Sequence, residues 1–246
     1  MSLQDKVLLV TGGSKGIGAA IAKRASSLGA KVVINYSRDS APADALVKEI
    51  GSDQALAVQA DVSKVSEISK LVDATVSKFG RIDILVPNAG VMPLQPLAAM
   101  TEELFDRVYE LNVKGPFFLA QKAVPHMPSG GRIIFISTGI AHHSGVPPPY
   151  ALYASSKGSV EQFTRVLAKE LGAKGITVNA VAPGPTATDL FVKGKSEAMI
   201  KGIAAQSPFN RLGDPAEIAN VVTFIASPEA AWVSGQIIGA NGASFV

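Results

Sequence analysis

The chain has 246 residues, of which 47% are hydrophobic and 17% charged, with 23 basic and 20 acidic residues and a formal net charge of +3. This length supports one large domain with a substantial core, and no basic run is concentrated enough to suggest nucleic-acid binding. There is no cysteine, and the three histidines have no metal-ligand spacing, so we expect neither a disulfide nor a bound metal.

Short apolar runs rich in β-branched residues alternate with helix-like stretches along the whole chain. The predicted strands are 6–12, 31–36, 55–61, 82–90, 132–138, 177–183 and 236–242. The predicted helices are 16–28, 41–50, 64–79, 101–124, 151–173 and 214–226. Strands that are apolar almost throughout are typical of a parallel sheet covered by helices on both faces.

The alternation predicts an α/β fold in which residues 1–246 form one doubly wound (Rossmann) domain around a seven-stranded, mostly parallel sheet. Residues 184–213 interrupt it, and a long insertion of this kind predicts a substrate loop. The N-terminal residues lack a basic segment followed by a long apolar stretch. We therefore expect no signal peptide, no contact with a membrane, and a location in the cytoplasm.

A glycine-rich turn follows the first predicted strand, in the stretch TGGSKGIG at residues 11–18. Gly12, Gly16 and Gly18 permit a sharp turn and a close approach to a ligand. The free N–H groups and positive dipole end of the next helix suit a pyrophosphate. A glycine-rich turn can be purely structural, but its place at the first strand–helix turn of a doubly wound sheet favours a dinucleotide site.

The end of the second predicted strand bears on which dinucleotide binds. An acidic residue there would hold the ribose 2′-hydroxyl of NAD, but the sequence has Tyr36, Ser37 and Arg38. Arg38 and Lys15 together would suit a 2′-phosphate, which favours NADP(H) over NAD(H). The alternative is that both cations are solvated surface charges, and Asp39 is close enough in sequence to weaken the preference.

The stretch YASSK places Tyr153 four residues before Lys157, on one face of a predicted helix. A phenol with a pKa of about 10 is poorly suited to proton transfer near neutrality. A neighbouring ammonium favours the phenolate, so we expect Lys157 to lower the pKa of Tyr153.

Together, TGGSKGIG, NAG at 88–90, Asn112, YASSK and PGPTATD at 183–189 resemble the short-chain dehydrogenase/reductase family over essentially the whole chain. The resemblance implies that Tyr153 is the general acid/base and that Lys157 also holds the nicotinamide ribose. It further implies that Asn112 anchors a water linking the lysine to solvent, although Asn112 could also be an ordinary polar residue inside a helix. The family usually has a serine just after the fifth strand; here Thr138 is favoured over Ser137, and the choice stays open.

The resemblance also implies a set of cofactor contacts along the carboxyl edge of the sheet. It assigns five groups of residues, which would contact in turn the pyrophosphate, the 2′-phosphate, the adenine, the adenosine and the nicotinamide. These residues are Gly12, Ser14, Lys15, Gly16, Ile17 and Gly18; Tyr36, Ser37 and Arg38; Asp61 and Val62; Asn88, Ala89 and Gly90; and Pro183, Gly184, Thr186 and Thr188.

These features imply an NADPH-dependent oxidoreductase that reduces an aldehyde or ketone to an alcohol. Apolar residues flank the expected nicotinamide site and favour a small apolar substrate; they are Met92, Leu94, Leu190 and Phe191. One alternative is a 3-oxoacyl-[acyl-carrier-protein] reductase. Another is a non-catalytic dinucleotide-sensing protein, against which the Tyr153–Lys157 pair counts.

Two further expectations concern the surface. The family resemblance implies a homotetramer formed through the helices at 101–124 and 151–173 and the last strand. His142 and His143 have no paired acid in their motif, so we interpret them as loop residues or pocket lining rather than as catalytic groups.

Overall fold

The seven predicted strands form one sheet in the computed structural model, which describes residues 1–245. Their order is β3-β2-β1-β4-β5-β6-β7, and every neighbouring pair is parallel. The strands are β1 (Val7–Val10), β2 (Lys31–Tyr36), β3 (Ala55–Gln59), β4 (Ile84–Val86), β5 (Arg132–Ile136), β6 (Thr177–Pro183) and β7 (Ile237–Ala240). The doubly wound fold predicted from the sequence is confirmed.

Helices lie on both faces of the sheet. They are α1 (Gly16–Ser27), α2 (Ala41–Ile50), α3 (Val65–Phe79), α4 (Glu102–Tyr109), α5 (Gly115–Ala123), α6 (Ala151–Gly172), α7 (Asp189–Val192), α8 (Glu197–Ala204) and α9 (Pro215–Ala226). Among residues 1–245, no helix has both the length and the hydropathy needed to cross a bilayer.

Alternate residues of the central strands point into two separate cores. In β1, Leu8 and Val10 join the core under α1, α2 and α9, whereas Leu9 joins the core under α3, α5 and α6. Phe135 of β5 belongs to the second core and is fully buried. Because side chains alternate between the faces of a strand, strands buried on both faces must be apolar at nearly every position, which is the observed pattern.

The strand order places a crevice at the carboxyl edge of the sheet. The chain runs outward from β1 to β3 and then returns to β4 on the other side of β1. At such a switch point the loops after the two central strands diverge and leave room for a ligand. The glycine-rich turn follows β1 and the NAG segment follows β4, so both border this crevice.

Two predicted elements differ from the structure in an informative way. The helix predicted over 101–124 is divided into α4 and α5 by a π-helical turn, Glu110–Lys114. The strand predicted over 82–90 is only Ile84–Val86, because Pro87 has no N–H to continue the ladder and the next residues bond to the glycine-rich turn instead. The insertion at 184–213 contains α7 and α8.

Candidate active site

The turn after β1 has the shape of a phosphate cradle. Gly12 and Gly16 have φ of 58° and 55°, values that favour glycine, and a Cβ on Gly18 would collide with the Gly12 carbonyl oxygen. Within residues 1–245, no side chain caps the N-terminus of α1 and its first turn has no acidic residue. Free N–H groups in a close-packed glycine turn fit a pyrophosphate. Ser14 and Ile17 are partly exposed in this segment, and Ile17 lines the cleft described below.

Three polar residues hold the cradle in place, and sequence reasoning had not assigned this role to Thr11 or Asn35. The Thr11 hydroxyl accepts hydrogen bonds from the backbone N–H groups of Asn88 (3.0 Å) and Ala89 (3.1 Å). The Asn88 amide donates back to the carbonyls of Thr11 (2.9 Å) and Gly12 (3.2 Å). Buried Asn35 accepts from the Gly12 N–H (3.4 Å) and donates to the Ala60 carbonyl (3.0 Å), which ties the cradle to the loop after β3. The sequence contains one indication of this role, an asparagine within the apolar strand β2, directly before Tyr36.

The residues predicted to read the 2′-phosphate lie together at the end of β2. Tyr36 is the last residue of the strand and is partly buried, while Ser37 and Arg38 are exposed. Lys15 forms an ion pair with Asp39, with 3.6 Å between Nζ and Oδ2. Both side chains are more than half exposed, so the pair is weak and leaves Lys15 able to turn toward an anion.

Asp61 and Val62 follow β3 at the same edge. Partial burial acts to raise the pKa of Asp61, but hydrogen bonds from Ser63 and the charges of Lys64 and Arg38 outweigh it, so the pKa is lowered. Asp61 is therefore ionised at neutral pH. The Val62 side chain is buried in the second core.

Tyr153 and Lys157 lie on one face of α6, as the spacing predicts. The Lys157 ammonium is 6.0 Å from the centroid of the Tyr153 ring and donates to the Ile136 carbonyl at 2.7 Å. Lys157 is only 5% exposed. Its burial lowers its own pKa to about 8.

The expected depression of the Tyr153 pKa is wrong for this structure. Burial raises the pKa of Tyr153 to about 12, the Thr138 side chain acts to lower it, and Tyr150 adds to the rise. Desolvation dominates because it disfavours the charged form of both groups, the phenolate and the ammonium. At neutral pH the phenol keeps its proton.

The hydroxyls of Ser137 and Thr138, the two residues that follow β5, have different surroundings. The Ser137 hydroxyl donates to Glu161 Oε1 at 2.6 Å and is 2% exposed. The Thr138 side chain lies beside the Tyr153 phenol and lines the same cleft. Both residues line the cleft, and Thr138 is the one beside the tyrosine; which hydroxyl contacts a substrate stays a prediction.

Asn112 occupies the middle of the π-helical turn and is fully buried. Its side chain accepts from the Val91 N–H (2.9 Å) and donates to the Val91 carbonyl (3.0 Å) and to the Ser156 hydroxyl (3.1 Å). A Cβ on Gly90 would lie 3.1 Å from Asn112 Oδ1 and 3.7 Å from Lys157 Nζ. Asn112 thus links the segment after β4 to α6 close to the lysine. A π-helical turn inside a helix is frequent at functional sites.

The segment after β6 closes over the cradle. Pro183 ends the strand, and Gly184 packs against the backbone of Asn241 so closely that a Cβ would meet it at 2.7 Å. Thr186 is buried, and its hydroxyl donates to the Gly184 carbonyl at 2.9 Å. The Thr188 methyl would lie 3.2 Å from a Cβ on Gly16, which places this segment directly opposite the phosphate turn.

A cleft of about 930 Å³ opens beside Tyr153, Thr138 and Lys157. All four apolar residues expected from the sequence line it, together with others that the sequence analysis did not assign. The lining includes Met92, Leu94, Pro96, Ile140, Val146, Pro147, Pro149, Leu190, Phe191, Met199, Ile203 and Phe245. Its walls are mainly apolar, which suits an apolar ligand.

Two further residues near the cleft have partners that the sequence did not show. His142 is not a bare loop residue, because its Nε2 lies 2.6 Å from Glu161 Oε2. Phe245 lies against Gly139 and is 5.3 Å, between ring centroids, from His143. Nothing in the local motif pairs these residues, which come together only in the folded chain.

In the described part of the chain, no group of three or more His, Asp or Glu residues could hold a metal ion.

Comparison with known proteins agrees with this arrangement. Residues 12–242 match the family model described as enoyl-(acyl carrier protein) reductase. The short chain dehydrogenase mdpC of Emericella nidulans is 47% identical, over 98% of this chain and 95% of its own length. Versicolorin reductase stcU of the same organism is 44% identical, over 99% of this chain and 97% of its own.

Solved structures show the same fold. A short chain dehydrogenase from Burkholderia cenocepacia in complex with NADP has a TM-score of 0.94 and 35% identity, covering 99% of each chain. The angucycline C-6 ketoreductase LanV with bound NADP has a TM-score of 0.92 and 36% identity, covering 99% of this chain and 96% of its own. The chain belongs to the short-chain dehydrogenase/reductase family. It is an NAD(P)-dependent oxidoreductase.

Proposed function

We propose that this oxidoreductase uses NADPH to reduce the carbonyl group of a ketone or aldehyde to an alcohol, with Tyr153 as the proton donor. The supporting observation is the placement of a protonated phenol beside the Thr138 hydroxyl and near the Lys157 ammonium, facing an apolar cleft. A pKa raised to about 12 keeps the phenol in the form that a donor needs in the reductive direction.

Each residue of the site has a defined task in this reaction. A bound reduced nicotinamide supplies the hydride. Tyr153 gives its proton to the carbonyl oxygen, and Thr138 holds that oxygen by a hydrogen bond. Lys157, whose ammonium is 6.0 Å from the centroid of the Tyr153 ring, would stabilise the phenolate left after transfer and orient the ribose. Asn112 holds the segment around Gly90 against α6 and would anchor a water that links Lys157 to solvent, so that the Tyr153 phenolate regains its proton from solvent through the lysine.

The preference for NADPH is supported by the end of β2. Arg38 and Lys15 are exposed at this edge, and the ion pair of Lys15 with Asp39 is weak enough to be exchanged for a phosphate. Tyr36 and Ser37 provide hydroxyls but no carboxylate to hold a ribose 2′-hydroxyl. A guanidinium matches a phosphate with a planar set of donors, and the two solved relatives described above were found with NADP.

The substrate that fits best is bulkier than the small carbonyl compound expected from the sequence. A cleft of about 930 Å³ is near the upper end of ordinary ligand sites, although the proposal reserves the part beside Lys157 and Pro183 for the nicotinamide. Residues 184–213 contribute Leu190, Phe191 and Met199 to one wall, consistent with their proposed role as the substrate loop. We assign a ketone on a multi-ring apolar skeleton. Relatives named for versicolorin and for an angucycline favour the same class.

The proposal is tested by following nicotinamide absorbance with a panel of carbonyl compounds and with both cofactors. The panel contains small ketones, a fused-ring ketone and a 3-oxoacyl thioester. We expect NADPH to be consumed fastest with the fused-ring ketone. Preference for the thioester would favour the acyl-carrier alternative, and NADPH binding without turnover of any compound would favour the sensing protein.

Tyr153→Phe is the matched control, because it removes only the hydroxyl. General acid catalysis contributes about 10²–10⁴-fold, so we expect turnover to fall by at least about 100-fold. NADPH affinity, measured by fluorescence titration, should stay within about twofold, a difference of less than 0.5 kcal/mol. Turnover within tenfold of the parent would exclude Tyr153 as the donor.

Assembly and location are part of the same proposal. Large apolar side chains are exposed on α4, α5 and α6, namely Phe105, Phe117 and Val166, and Trp232 is fully exposed before β7. Exposed apolar side chains of this size are suited to subunit contacts, and they support the homotetramer that we propose; the cytoplasmic location stays a proposal from the sequence. Light scattering that gives a monomer at micromolar concentration would contradict the tetramer.

A further inference from the structure

Glu161 lies one helical turn beyond Lys157 and makes two contacts outside its own helix. Its side chain is 5% exposed. Oε1 accepts from the Ser137 hydroxyl at 2.6 Å, and Oε2 lies 2.6 Å from His142 Nε2. Arg165 Nη2 is 3.9 Å from Oε2 at the rim of the cluster. A buried carboxylate is tolerated only when its oxygens are satisfied in this way.

The order of these groups excludes nucleophilic catalysis. In a serine hydrolase, the imidazole lies between the hydroxyl and the carboxylate and removes the hydroxyl proton. Here the carboxylate of Glu161 lies between Ser137 and His142, so the imidazole does not reach the hydroxyl. The cluster is therefore suited to holding parts of the chain in place.

The first part it holds is the exit of β5. A serine hydroxyl has one proton to donate, and that of Ser137 is given to Glu161. Ser137 is thus prevented from donating to a substrate, and the neighbouring Thr138 remains as the hydroxyl facing Tyr153. Glu161 in this way determines which of two adjacent hydroxyls takes part in the reaction.

The second part it holds is a wall of the substrate cleft. His142 is the last residue of a short 3₁₀ turn, Gly139–His142, that directly follows Thr138. Its neighbour His143 and the residues Gly145–Pro147 line the cleft. The contact between His142 and Glu161 attaches this loop to the buried face of α6 through a pair of polar side chains.

We propose that Glu161 is a positioning residue: it binds Ser137 and His142 at once and thereby sets the position of the loop that forms one wall of the substrate cleft. The kinetic part of this inference rests on the proposed reductase activity. Its structural part, the attachment of residues 139–150 to α6, stands independently.

The test compares Glu161→Gln with the parent enzyme and with Glu170→Gln, an exposed position near the end of the same helix. The glutamine keeps the shape of the side chain but removes its charge. Hydrogen exchange of the peptide spanning 139–150 should be about tenfold faster in Glu161→Gln, since the contacts to Ser137 and His142 lose their charged acceptor. His142→Ala should show the same acceleration, and Glu170→Gln should show none.

Kinetics then separate positioning from a general loss of structure. We expect the KM for the fused-ring ketone to rise about tenfold in Glu161→Gln and in His142→Ala, while the Kd for NADPH stays within about twofold. Unchanged exchange of residues 139–150 in both variants, or an equal loss of NADPH and ketone affinity, would overturn the inference. If Glu161→Gln does not fold, His142→Ala alone decides. If the parent reduces no ketone, the proposed function fails, and the exchange data still decide the attachment.

Discussion

Replacing Lys157 by methionine should make the protein inactive and change how its stability depends on pH. The lysine is 5% exposed, and burial lowers its pKa from 10.5 to about 8. A shift of this size corresponds to about 3 kcal/mol of unfavourable free energy for the buried ammonium at neutral pH. Methionine removes that cost but leaves the Ile136 carbonyl without its donor, which costs about 1–3 kcal/mol.

Because of these two effects, the difference in free energy of unfolding between the parent and Lys157→Met depends on pH. Below about pH 8 both the folded and the unfolded parent carry the proton, so the full cost is present. Between about 8 and 10.5 the folded state loses the proton first, and the stability of the parent rises with pH. We therefore expect Lys157→Met to be equal to the parent or up to about 2 kcal/mol more stable at pH 7, and less stable above about pH 10.

Urea unfolding at a series of pH values measures this difference directly, at one protein concentration so that any association is held constant. Lys169→Met, at an exposed position of the same helix, is the control and should give a difference that does not vary with pH. The raised pKa of Tyr153 destabilises the folded state only above about pH 10, in parent and variant alike. If the difference in free energy of unfolding between the parent and Lys157→Met does not vary with pH, burial of the Lys157 ammonium does not destabilise the folded state.

Two further predictions concern the cofactor and the hydroxyls. Arg38→Asp should shift the preference toward NADH by about 100-fold or more in the ratio of kcat/KM values, because it removes a charge-assisted contact and adds a carboxylate; an unchanged ratio would exclude Arg38 as the phosphate contact. Thr138→Ala should lower kcat by about tenfold or more, whereas Ser137→Ala should lower it less, because Ser137 already donates to Glu161; initial rates at saturating NADPH decide, and the reverse ranking would reassign the substrate contact.

Much of the fold could be predicted because its signals are local. The strands β2 and β6 have the bounds predicted from their apolar runs, and α2 has the predicted ends. The spacing of Tyr153 and Lys157 within α6 was sufficient to place them on one face. The prediction failed where a tertiary contact overrides local preference: the helix over 101–124 is broken where Asn112 bonds to the segment after β4.

The sequence by itself determined the layered α/β architecture, the glycine turn before α1 and the phenol–ammonium pair, because each depends on residues close together in the chain. Only the tertiary structure decided the protonation of the pair, the partner of Ser137 and the extent of the cleft. A pKa depends on burial by distant elements, which raises that of Tyr153 and lowers that of Lys157. Glu161 of α6 meets Ser137 at the exit of β5, and Phe245 lines the cleft from a segment distant in sequence; no short pattern records such contacts.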